Sequence, residues 1–202
     1  MSTLTNFQIY DLLNRPRPLW LVKIDFSDLN LLNVDLGGCD LSYANLYRAD
    51  MNWANLMAAI LYKANLNMTN LFEAHLGSAN LTGANLNRAN LTRADLTKCI
   101  CQEALLVETN LSRAILSKSN LSQANLNGAI LSRADISKTN LSSANLTSAD
   151  LTKSNLFEAD LTNAILREAN LSGADLTAAN LTGADLYNTI LEGANLTDTK
   201  MP

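Results

Sequence analysis

Residues 111–130 read LSRAILSKSNLSQANLNGAI, and residues 131–150 read LSRADISKTNLSSANLTSAD. The two segments match at a 20-residue offset, and inside each a shorter phrase, A-(N/D)-L-x-x, recurs every five residues. The phrase extends in both directions without an insertion. Every fifth residue from Phe26 to Met201 is apolar, and 31 of these 36 centres are leucine, the exceptions being Phe26, Met51, Cys101, Ile136 and Met201. Two residues before each centre, from Ile24 to Thr199, stands a small or apolar residue, which is alanine in 24 of the 36 units. Asn or Asp fills most of the positions between the two.

A five-residue period cannot build a helical face. At about 100° per residue, successive leucines advance roughly 140° and wind round the cylinder. The period is also too long for one alternating strand. It suits a short extended pair of inward positions, Ala and Leu two residues apart, followed by a corner. Units of this size cannot bury their leucines alone, so they coil and stack into a solenoid. The Asn or Asp between the pair reads as a turn former whose side chain bonds nearby backbone at the corner.

The variable positions set the length of one coil. Arg93, Arg113, Arg133 and Lys153 form one series at 20-residue spacing, and Lys98, Lys118 and Lys138 form another. A 15-residue coil would leave only broken pairs. Four units per coil are therefore expected, and at about 4.8 Å per coil some nine coils make a rod of roughly 43 Å.

The chain resembles the pentapeptide-repeat family from Ile24 to Met201. The resemblance implies an all-β fold, a right-handed quadrilateral β-helix with the centre Leu and preceding Ala inward and the other three residues of each unit facing solvent. The handedness comes from the resemblance alone. The family is most numerous in cyanobacteria, and the chain is similar to its uninterrupted cyanobacterial type, one member of which influences heterocyst differentiation. Another branch protects DNA gyrase by imitating DNA, with an acidic surface, dimerisation through the carboxyl end and projecting loops. This chain has a net charge of only −4 and a repeat that no loop interrupts, so a DNA-mimic, gyrase-binding role is the alternative reading.

The chain is read as one domain, a solenoid over residues 19–202 with a cap segment over residues 1–18. In the cap, Thr5 is placed to start a short helix with Leu4, Phe7, Tyr10 and Leu13 on its apolar side, and Pro16 and Pro18 stop it. Such a cover protects the exposed edge of the first coil. The carboxyl end has no equivalent helix, which makes the chain a monomer or a weak end-to-end dimer through that coil. No apolar run reaches the roughly 18 residues of a membrane span, and the amino end lacks a secretory pattern. A cytoplasmic location is expected.

No residue set in the sequence assembles into a catalytic, metal or cofactor site. Cys39 and Cys99 occupy small inward positions and Cys101 a leucine centre, so all three read as buried, inert thiols. His75 stands alone at an Asn/Asp position, without a second histidine or a cysteine to share a metal. Gly37 and Gly38 lack the Lys and Ser/Thr of a phosphate-binding loop. The expected class is a non-enzymatic protein–protein interaction rod, possessing no cofactor and acting in regulation.

Two outer features are candidate interaction surfaces. The basic stripe is formed by Arg93, Lys98, Arg113, Lys118, Arg133, Lys138 and Lys153, all in the last position of their units. Residues 88–153 carry 8 Lys/Arg against 5 Asp/Glu, whereas residues 158–202 carry 2 against 7, so the rod is basic in its middle and acidic toward its end. The stripe would meet an acidic protein or a nucleic-acid backbone, and the acidic total argues against the latter. The aromatic patch is formed by Tyr43, Tyr47, Trp53, Tyr62 and Phe72, all outward by register. A smaller apolar spot at Ile100, Leu105, Val107 and Ile115 suggests a local bulge.

Overall fold

The computed structural model describes Ile9, residues 11–12, 14–16 and 18–202. From Trp20 onward, every fifth residue forms a parallel bridge with the residue 20 positions later, from Trp20 with Asp40 to Asn180 with Lys200. Four bridges per 20 residues give each coil four sides, and two turn residues separate each side from the next. The fold is a β-helix solenoid. Its core is the column of centres and their small companions: Leu126 and Ala124, for example, are fully enclosed, as are Phe26, Met51 and Cys101 at substituted centres. Hydroxyls that replace alanine turn back to the chain, as where Thr109 Oγ1 donates to Leu86 O at 2.8 Å and Thr69 Oγ1 to Leu46 O at 2.7 Å.

One unit shows why this phrase folds this way. Asn125 N donates to Ala104 O on the preceding coil at 2.9 Å, while Leu126 N and Gly128 N donate to Asn145 O and Thr147 O on the following coil at 2.7 and 2.9 Å. Ala129 N closes the turn onto Leu126 O at 3.0 Å. That leaves the amide of Asn127, and the Asn125 side-chain oxygen accepts from it at 3.2 Å. All five amides are satisfied, as a buried or half-buried backbone requires. In most units the Asn or Asp supplies the one acceptor that the backbone pattern lacks. Its carboxamide also reaches along the stack, Asn65 Nδ2 to Asn45 Oδ1 at 2.9 Å and Asn45 Nδ2 to Asp25 Oδ1 at 2.9 Å. Where the residue is Asp, the donors of the turn favour its charged form. The Ser27 hydroxyl and amide hold Asp25 below the usual carboxylate range, and those of Thr177 do the same for Asp175.

The Asn/Asp residue was expected at the corner itself and lies instead on the bridged flat of each side. The corner is the turn from one centre to the next small residue, and its left-handed position is the residue two after the centre. Gly128 has φ +64° there, but so do non-glycine residues such as Arg113 (φ +60°) and Lys118 (φ +63°). Positive φ at the second turn residue alone is the type II pattern, which favours Gly or Asn. Each L-residue held there costs about 1 kcal/mol, an expense the core offsets.

The apolar spot makes no bulge: Ile100, Leu105 and Ile115 all keep their parallel bridges. They stand at the Asn/Asp position on three sides of one coil and point outward, each about two-fifths exposed. Of the expected helix, Leu4, Thr5, Phe7, Tyr10 and Leu13 lie outside the described residues. Ile9, Asp11 and Leu12 are helical, Ile9 is buried in the core cluster and Leu12 packs against it. In the last coil the inward positions lose cover, with Leu196 and Met201 exposed. No helix among the described residues is long and apolar enough to cross a membrane.

Removing a centre, Leu126→Ala, is expected to lower stability by about 2–5 kcal/mol, read as a drop in thermal midpoint; an unchanged midpoint contradicts the inward placement. Asn125→Ala leaves the Asn127 amide without its acceptor and should cost about 1 kcal/mol. The reverse change, Ile165→Asn, restores an acceptor for the Arg167 amide and should raise the denaturation midpoint by a similar amount.

Candidate functional site

The four corners stack into four columns, each reading one turn position through successive coils. One carries Tyr43 and Lys63, the next Arg48, Met68 and Arg88. The third carries Trp53, Glu73, Arg93, Arg113, Arg133 and Lys153, and the fourth Lys98, Lys118, Lys138 and Glu158. The seven residues of the basic stripe thus form two rails on adjacent corners. Between residues 91 and 160 no Lys or Arg lies anywhere else. The side enclosed by the rails has His75, Asp95, Ile115, Asp135 and Asn155 along its midline, joined by successive bridges.

Among the described residues the rails are neutralised only at opposite ends. Arg93 Nη1 pairs with Glu73 Oε1 at 3.0 Å, and Lys138 Nζ with Glu158 Oε2 at 3.4 Å. Arg113, Arg133, Lys153, Lys98 and Lys118 have no ion-pair partner among the described residues. Glu73 also accepts from Trp53 Nε1 at 3.0 Å, and the Trp53 bond first, then Arg93, keeps its carboxyl below the usual range. Both acidic partners stand 20 residues from their base, so the spacing that phased the coil would also have found them. Asp95 and Asp135 accept from the amides of Thr97 and Ser137 at 2.9 and 3.1 Å, which anchors two carboxylates between the rails.

The aromatic patch is dispersed. Tyr43 and Tyr62 meet edge to face at 5.5 Å between ring centroids on one corner, with Lys63 Nζ 5.3 Å from the Tyr62 centroid. Trp53 and Phe72 form a second edge-to-face pair at 6.0 Å on the diagonally opposite corner. Tyr47 belongs to the corner between them, with Arg48 over its ring at 5.9 Å. The residues occupy neighbouring coils but three directions, because outward register fixes the coil and not the side. They form two local pairs in place of one surface.

Among the described residues no group of three or more His, Cys, Asp or Glu could hold a metal ion. His75 is exposed on the midline of the basic side. All three cysteines are free and buried, but Cys99 Sγ and Cys101 Sγ touch at 3.1 Å inside one coil, a contact that inward register alone did not announce. The Cys99 bond and then burial push the Cys101 thiol well up, so it is a poor nucleophile.

This geometry is that of a known repeat architecture. The family model for pentapeptide repeats matches residues 21–57, 74–113, 114–152 and 154–193, in 8 copies, and the chain belongs to that family. Among solved structures it is similar to HetL, a pentapeptide repeat protein involved in heterocyst differentiation regulation from Nostoc sp. strain PCC 7120. Identity is 32%, covering 91% of this chain and 90% of HetL, with a TM-score of 0.67. A trypsin-treated variant of QnrB1, a plasmid-mediated fluoroquinolone resistance protein, shares the fold at 19% identity, TM-score 0.74, over 91% of this chain and 90% of that one. No curated protein sequence matches the chain.

Native protein exposed to an alkylating reagent should remain unmodified by intact mass, whereas denaturant should yield adducts at all three thiols. Fast native labelling of Cys101 would contradict its enclosure.

Proposed function

We propose that this chain is a non-enzymatic, protein-binding rod with a regulatory role, and that the side between the two basic rails is its docking face. The observation that carries this reading is the segregation of every Lys and Arg of residues 91–160 onto two adjacent corners, five of them without an acidic partner among the described residues. Cations left unpaired at a rigid, repeating spacing raise the local potential and steer an acidic partner. The similarity to HetL along nearly the whole chain supports a regulatory task. The rod is read as right-handed, about nine coils long and cytoplasmic, with a cap segment over residues 1–18 whose short helix covers the first coil. The burial of Ile9 against the core supports that cover.

Gyrase binding by duplex mimicry is the poorer reading, because the middle of the rod presents the sign of charge opposite to that of a phosphate backbone. The Tyr43–Tyr62 and Trp53–Phe72 pairs are secondary contact points, each too small to anchor a partner alone.

Capture from an extract of the source cell should compare wild type, R113E/R133E and Y43A/W53A. A partner recovered by wild type and by Y43A/W53A but lost with R113E/R133E supports the docking face. Equal recovery with R113E/R133E overturns it, and inhibition of gyrase supercoiling by the purified wild type overturns the reading in favour of mimicry.

A further inference from the structure

The docking face has a charge pattern across its width as well as along its length, and this restricts what can lie on it. Each rail is cationic, but the midline between them places Asp95, Ile115 and Asp135 on three successive coils. A uniform polyanion laid along this side would set its charge over two carboxylates about 10 Å apart, on either side of an exposed isoleucine. A nucleic-acid strand is therefore a poor match. A polypeptide with acidic shoulders and a different central stripe is a good one.

The rise of the solenoid selects the conformation of that polypeptide. Successive cations on a rail are one coil apart, about 4.8 Å. An extended strand repeats its side chains on one face every 6.7 Å or so, so over three coils it offers three side chains to four cations and leaves one cation about 3 Å from the nearest. An α-helix repeats every 5.4 Å and drifts by only about 2 Å over the same distance, within reach of flexible Lys and Arg side chains. Five residues of chain separate the rails, at most about 17 Å, and a helix about 10 Å across laid over that side directs carboxylates to both rails.

We infer that the partner segment is an amphipathic α-helix of mixed charge lying along the rod axis, with Glu or Asp on both shoulders and a central stripe of hydrogen-bond donor or cation, apolar residue, and donor or cation facing Asp95, Ile115 and Asp135. The inference rests on the docking face proposed above and adds the identity of what docks there. Ile115 is 42% exposed and supplies the apolar contact, at the Asn/Asp position of its unit. The unpaired Arg113, Arg133 and Lys118 flank it.

The test uses fluorescence anisotropy with the full chain and three labelled probes. These are a side-chain-bridged helical peptide of about five turns carrying this pattern, an unbridged peptide of the same composition broken by prolines, and a short DNA duplex. The helical peptide is expected to bind at least roughly tenfold more tightly than either other probe. R113E/R133E should weaken it by a similar factor, and Ile115→Asp should weaken it while leaving the fold intact by circular dichroism. Equal affinity for helical and broken peptides, with loss in R113E/R133E, overturns the helix while the docking face stands. Tighter binding of the duplex, or no binding of any probe, overturns the inference, and the capture experiment decides separately whether the face binds protein.

Discussion

Everything in this molecule depends on giving five backbone amides per unit five acceptors. Two reach the following coil, one the preceding coil, one closes the turn, and the last is taken by the side chain of Asn or Asp. A stacked coil that left one amide per unit unbonded would carry that penalty many times over, at about 1–3 kcal/mol wherever the group is shielded from water. Leucine burial drives the collapse, but hydrogen-bond completeness selects this winding from other ways of enclosing leucine. Local departures are tolerated, even three in one coil. Ile100, Leu105 and Ile115 forgo the side-chain acceptor without disturbing the bridges, and Val107 N borrows Asn87 Oδ1 from the neighbouring coil at 2.8 Å.

Much of the fold was legible because the structure repeats what the sequence repeats. Alanine and leucine two apart could only point the same way in an extended segment, and the charges at 93, 113, 133 and 153 could only mark one corner. The role of Asn and Asp was half legible. Their tendency to bond local backbone was read correctly, but their place on the flat of the side was not, since composition favours such residues at turns. The true left-handed corner holds six of the eight glycines, but more often Arg, Lys, Glu or Ser, which give no local signal for φ > 0. There the geometry is imposed by stacking and overrides propensity.

The candidate site divides in the same way. The rails were visible as a period, and so, at the same offset, were the acidic residues that close their ends. The aromatic residues misled because outward register alone does not distinguish four directions. Placing Tyr43, Tyr47 and Trp53 on separate corners requires the angle of the coil as well as its period. The Cys99–Cys101 contact depended on side-chain rotamers inside the tube.

The repetition between residues 111–130 and 131–150, identical at 13 of 20 positions, also bears on how a ligand would find its alignment. A rod built from copied coils offers similar footholds at each step, so a bound segment could slide by one coil at little change in energy. The outward pair Ile115 and Asp135 is the principal difference between the two copies on that side. A greasy notch at one coil and a carboxylate at the next would turn an otherwise degenerate track into one with a single stop.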